Sequence, residues 1–129
     1  ISNSNNQSID KLSSFSTNDL FKSNPISIGS ALIKKSLLLE HKFNPYFQLL
    51  GDYDLWVRLS IDNKITPLNK VVEFSRQHNA NTSNLLAERW LKERRFFYKQ
   101  YCTFSNFVKY PMLIYYMIKT EIRGISNSR

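Results

Sequence analysis

The sequence predicts a small α/β domain, a short mixed sheet with flanking helices, followed by a helical extension at the C-terminal end. Three observations predict it. Short runs rich in Ile and Val, "NPISIGSALIKK", "NKITPL" and "KVVEFSR", read as strands, with Gly29 marking a bend and Pro67 a strand end. Between the first run and the second, Leu55, Trp56 and Leu59 fall on one helical face. Further on, Leu86, Trp90, Phe97 and Tyr101 form a stripe along a long amphipathic helix from near Asn84 to about Phe104. A chain of 129 residues makes about one domain.

The elements follow in order. Residues 1–16 are rich in Ser and Asn and read as a polar loop or frayed end. In "STNDLFKS", Ser16 or Thr17 caps a short helical turn. "KSLLLEHKF" is a second short helix and "NPYF" a turn. A helix starts at Asp52, and "HNANTSN" is a polar loop. The last helix opens at Pro111, a favoured first helical residue, and stops near Gly124. The chain thus divides into 1–16, a central part over 17–84, and a basic, aromatic-rich helical extension over 85–129.

Composition excludes several classes. Cys102 is the one cysteine, so an intrachain disulfide and a thiolate metal cluster are both impossible, which suits a reducing compartment. Three glycines, at 29, 51 and 124, cannot build a phosphate-cradling loop. The polar start, Ser2 to Ser8, is no signal peptide, and a first residue Ile1 reads as a piece of a longer polypeptide. The longest apolar run, "YPMLIYYMI", has 9 residues, against roughly 20 needed to span a bilayer. The net charge is +8, and from Leu85 onward nine Lys/Arg face three Asp/Glu. Such an end suits an anionic surface, whether lipid, nucleic acid or protein.

The residues that can carry chemistry cluster in "LLGDYDLWVRLS". Asp52 stands before an amphipathic helix, where a carboxylate caps a backbone N–H and adds about 1 kcal/mol. A helix N-terminus favours negative charge, and a general base must be ionised to take a proton, so capping and catalysis are compatible there. Asp54 precedes Arg58 by four residues, the better orientation for a solvated helical pair. As a metal pair Asp52 and Asp54 are poorly placed, since they point about 200° apart on a helix. His78 follows a predicted strand, a setting that suits either a surface residue or a single ligand to a shared metal. His41 has no such setting and reads as surface.

In order, "IGSALIKKSLL", "KFNPYF", "GDYDLWVRLS" and "SRQHNANTS" resemble the C-terminal half of the catalytic domain of family 2 glycosyltransferases, which have the GT-A fold. The family pattern is a Gly-Ser strand with a basic end, a Phe-Asn/Asp turn, an acidic "E-D-x-D-L-W-x-R" helix start and an "R-x-H-x-x-x-x-S" loop. The match covers about 17–84, and its strength lies in the ordered set. The resemblance implies that Asp52 is the general base of an inverting transfer to an acceptor hydroxyl. It implies that His78 completes the coordination of a divalent metal, manganese or magnesium, on the diphosphate of a nucleotide-sugar donor. Arg76 would lie near that diphosphate, Gly29 and Ser30 would line the acceptor side, and Trp56 would pack behind the acidic turn. Asp54 is counted with them on the substrate side. Gly51 departs from the pattern, standing where the family usually has Glu. The nucleotide-binding half with its own Asp-x-Asp would precede Ile1, so this stretch alone would not turn over.

Two other readings stand beside this one. One is a basic helical module docking on anionic membrane or nucleic acid, and the other a structural fragment with no activity. The aromatics of "AERWLKERRFFYKQY" have helical core spacing, which argues against an open nucleic-acid platform and for a solvated face over a core stripe. Met112 to Ile118 are seven apolar residues in a row within a predicted helix, so every face needs cover. Cover would come from the Trp90–Phe104 stripe within the domain, the missing nucleotide-binding half, a second copy, or a membrane surface, with Tyr115 and Tyr116 at the contact. These expectations place the protein in the cytoplasm, on the inner face of a membrane.

Overall fold

Ser16 opens the first element with a reciprocal cap. Its hydroxyl accepts from Asp19 N at 3.1 Å, and the Asp19 carboxylate accepts from Ser16 N at 3.3 Å. The structure, a computed structural model, describes residues 14–74 and 87–126. Helix α1, Thr17–Lys22, is too short to persist alone. Two things hold it. Leu20 and Phe21 are fully buried, and the hydroxyls of two buried tyrosines reach the carbonyls that a helix end leaves free. Tyr53 donates to Leu20 O, and Tyr98 donates to Phe21 O at 3.0 Å.

A 3-10 turn, Ile28–Ser30, leads to α2, Lys35–Glu40, and then to α3, Gly51–Asp62. After residues 75–86 come α4, Ala87–Gln100, α5, Phe104–Lys109, and α6, Pro111–Ser126. Helix α1 packs on α3 and α6, and α4 packs on α6. The core between them is aromatic. Phe97 of α4 is fully buried, stacks on Tyr53 of α3 at 4.5 Å between centroids, and meets Tyr101 edge-on at 5.4 Å. Phe21 meets Tyr101 edge-on at 5.3 Å. These tilted geometries suit ring quadrupoles and add to the gain from burial. Helix α6 begins at Pro111, and its next N–H, on Met112, finds Asn18 Oδ1 of α1 at 3.3 Å. One helix thereby caps another.

The α/β expectation is overturned. Among the described residues there is no strand and no sheet, so this is not an α/β GT-A-like domain with a short mixed sheet. The stretch around Ile26–Ile33 holds the 3-10 turn in place of a strand. "NKITPL" contributes one isolated antiparallel bridge, Phe15 to Ile65, with Phe15 N donating to Ile65 O at 3.0 Å. Residues 71–74 carry no regular structure, and Phe74 is 94% exposed. β-Branched runs favour a pleated surface only when a partner strand and a covered face exist. The described chain offers these runs no partner strand beyond the single Phe15–Ile65 bridge, although Ile26, Ile33 and Ile65 pack against the core. The helices came closer to expectation: α1, α2, α3, α4 and α6 lie where helices were predicted, whereas α5 falls in a gap between two of them. Among the described residues no helix is long and apolar enough to cross a membrane.

The tyrosine hydroxyls give the fold a sensitive point. Tyr98→Phe keeps the packing and leaves the Phe21 carbonyl without its donor, so unfolding free energy should fall by about 1–3 kcal/mol. Urea unfolding followed by circular dichroism measures this, and an unchanged midpoint would show that the bond adds nothing.

Candidate functional site

The acidic turn opens α3, and it is assembled from three parts of the chain. The helix begins without a side-chain cap of its own: the residue before it is Leu50, and Asp52 is its second residue. Asp52 is therefore not the N-cap that the sequence suggested. It still serves a free donor of the first turn, because Oδ1 accepts Tyr53 N at 2.7 Å. Among the described residues its other oxygen, Oδ2, has one hydrogen-bond partner, the Asn24 side-chain amide at 3.4 Å, longer than an ordinary N–H to O bond. Asp52 as a whole is half-buried.

Trp56, one turn later on the same face, is buried, and its indole N–H donates to Ile26 O at 3.1 Å. Asn24 and Trp56 together tie the segment before the 3-10 turn to the first turns of α3. Trp56 thus packs behind the acidic turn and is itself shut off from any substrate. Ser30 is exposed, with its hydroxyl on Ser27 O at 3.0 Å. Gly29 is also exposed, and the Glu73 carboxylate rests so close to it that a Cβ would collide with Glu73 Oε1. A side chain as flexible as Glu73 could yield, so the crowding alone does not demand glycine. At Gly51 a Cβ would meet Phe43 at 3.7 Å and Phe47 at 3.9 Å, ordinary contacts, so a Cβ is accommodated there.

Asp54 has a different place from the one expected. The pair with Arg58 forms at 2.8 Å, but it is not solvated: the Asp54 carboxylate is fully buried. Oδ1 accepts the Gln100 amide at 2.6 Å, and the Tyr101 hydroxyl lies 3.5 Å away. Burial, then the Asp54 charge, pushes the Tyr101 phenol up, so the phenol stays a donor. Arg58 also donates to Lys42 O at 2.9 Å. Asp54 binds α3 to the end of α4 and is closed to any substrate in this arrangement.

The stretch leading into α3 is set by a residue far away in the sequence. Glu93 of α4 is 2% exposed. Its Oε1 accepts Gln48 N at 3.0 Å and Arg89 Nε at 2.9 Å, and its Oε2 accepts Leu49 N at 2.9 Å and Leu50 N at 3.1 Å. Burial would raise its carboxyl, but the three backbone N–H groups and Arg89 outweigh burial and hold it below the usual glutamate range.

Arg76 and His78 lie outside the described residues. Among the described residues no three of His, Cys, Asp and Glu gather to hold a metal ion. Sequence reasoning missed Asn24, Glu73 and Glu93. Only Glu93 left a usable signal: it stands three residues after Trp90 and four before Phe97, within the buried stripe. No known protein family, curated protein or solved structure matches the chain.

Glu93 gives the stability an acid dependence of definite sign. Its folded value lies below the ordinary 4.5, so the unfolded chain takes up the proton first. The stabilisation is complete above the unfolded value and drains as pH falls through the folded one. Stability should therefore drop on acidification below about pH 4.5, by at most about 1.4 kcal/mol per pH unit for this one proton. Glu93→Gln should flatten that part of the curve. Equal acid slopes in the two proteins would rule out the clamp as their source.

Proposed function

We propose that this chain forms the acceptor side of an inverting, family 2-like glycosyltransferase that works in the cytoplasm at the inner face of a membrane. The observation that carries the reading is the asymmetry of the two aspartates. Asp54 is sealed into the core, whereas Asp52 is half-buried and, among the described residues, its Oδ2 meets only the Asn24 amide at 3.4 Å. Together with the ordered motifs "IGSALIKKSLL", "KFNPYF" and "GDYDLWVRLS", this supports Asp52 as the base.

In the proposed reaction the acceptor hydroxyl, on a glycan or a lipid-linked sugar, gives its proton to Asp52 Oδ2. The oxygen forms a bond to the anomeric carbon as the bond to the nucleoside diphosphate breaks on the opposite face. Configuration inverts, and the diphosphate leaves with the bonding pair. Trp56 acts as a positioning residue, since it pins Ile26 and the turn that carries Gly29 and Ser30 beside the first turns of α3. His78 would be this chain's ligand to a divalent metal, which would supply positive charge for the leaving diphosphate. His78 and Arg76 are the candidates from this chain to meet that group, alongside a nucleotide-binding region elsewhere in the polypeptide.

The test uses the intact polypeptide that carries this chain, assayed for nucleoside diphosphate release over a panel of nucleotide sugars. Asp52→Asn keeps an acceptor for the Tyr53 N–H and loses the base. Transfer should fall by about 10²-fold or more, with little change in folding. Near-full transfer by the Asn protein would remove Asp52 from the chemistry.

A further inference from the structure

Helix α6 has two faces, and both are apolar. One lies on the core: Leu113 is fully buried, and Met112, Tyr116 and Met117 pack against the buried cluster. The opposite face carries Ile114, Ile118 and Ile122 at successive four-residue steps, with Tyr115 beside them. Ile118 is 51% exposed and Ile122 61%. The preceding helix repeats the pattern on a smaller scale, for Phe107 packs on the cluster while Phe104 and Val108 stand exposed. Isolated exposed apolar residues need no explanation, but a stripe along a helix marks a contact surface.

The charges around the stripe select its occupant. Lys109, Lys119 and Arg123 lie on these two helices, and the sole acid described on them, Glu121, is neutralised by Arg95 at 3.1 Å. Lys119 Nζ sits over the Tyr115 and Tyr116 rings at 5.6 and 5.5 Å, which places its charge beside the stripe. A second copy of a chain with net charge +8 would bring like charge against like. An anionic lipid surface answers both features. Its acyl boundary takes the isoleucines, and its headgroups take the cations. The helix is too short and too charged to cross the bilayer, and lying in the interface needs no more length than it has.

We infer that the Ile114–Ile118–Ile122 face of α6 is an interfacial membrane-docking surface for anionic lipid. This rests on the peripheral-location part of the proposed function and is independent of the transfer chemistry. The test is flotation of the chain on phosphatidylcholine vesicles with and without phosphatidylserine, with no sugar donor present. The wild type should float with the anionic vesicles and lose binding as salt rises. Ile118→Asp should cut partition by about tenfold or more, and Lys119→Gln by about fivefold, with both proteins retaining wild-type circular dichroism. Sedimentation equilibrium without lipid provides the control. Failure to bind anionic vesicles, binding that Ile118→Asp leaves intact, or a dimer that Ile118→Asp dissolves in the absence of vesicle binding would each overturn the inference. Loss of transfer in Asp52→Asn would not bear on it.

Discussion

Glu93 takes three consecutive backbone N–H groups, on Gln48, Leu49 and Leu50, into one buried carboxylate on another helix. The stretch that leads into α3 has no regular structure and no side-chain cap at its end, so its donors have no helical partner, and that of buried Leu50 would be left without water as well. Hydrogen bonds to a charged acceptor are the stronger kind. Removing one side of a buried charged network costs about 3–5 kcal/mol, a large share of the roughly 5–15 kcal/mol that holds a domain together. Everything at the acidic turn follows from this anchor. It fixes where α3 starts, hence where Asp52 stands relative to Asn24 and where Asp54 points into the core. Arg89 closes the arrangement from the same helix, so α4 carries both the clamp and its counter-charge.

Parts of this were legible in the sequence, and the parts that were not share a cause. Ser16 with Asp19 spells a helix start within four residues, and α1 begins there. Leu55, Trp56 and Leu59 repeat at helical spacing, and α3 is helical throughout. Such signals are local. Ile26, Ile28, Val71 and Val72 read as strands because their side chains favour a pleated surface, but a strand also needs a neighbour, which lies far off in sequence or in another chain. Thr103 caps α5 through the Asn106 N–H, a local sign overshadowed by the aromatic run around it. At the site, the aspartate pair was visible as a pair. What separates its members, burial against Gln100 and Tyr101 on one side and half-burial on the other, depends on α4, some forty residues away. Trp56 was expected behind the turn, and its bond to Ile26 O gives that placement a partner. Glu93 was hidden by the charges around it: within "AERWLKERRFFYKQY" one acid among basic residues reads as surface unless its register with Trp90 and Phe97 is weighed.

The exposed apolar residues fall into two groups with different physical origins. Val71, Val72 and Phe74 belong to a stretch without regular structure that lacks a covering layer among the described residues. The α6 residues belong to a well-formed helix whose inner face is already satisfied by Leu113 and its neighbours. The first group is the surface of an unpaired segment. The second is a shaped, cation-flanked face on a rigid element, which is the more useful kind of contact surface. Helix α6 also reaches back to the acidic turn through α1. Asn18 caps α6, and the carbonyls of the same α1 receive Tyr53 from α3 and Tyr98 from α4. The exposed face of α6 and the acidic turn of α3 therefore share the frame that α1 provides.

A single carboxylate in α4, that of Glu93, holds the approach to the acidic turn. Native-state hydrogen exchange at the Gln48, Leu49 and Leu50 amides tests this most directly, comparing the wild type with Glu93→Gln. The account expects these three amides to be protected in the wild type. In the variant they should speed up by about 10- to 100-fold more than amides in the middle of α6, such as that of Tyr116. Exchange at residues 48–50 that is fast in the wild type, or that changes no more than at Tyr116, would contradict the claim.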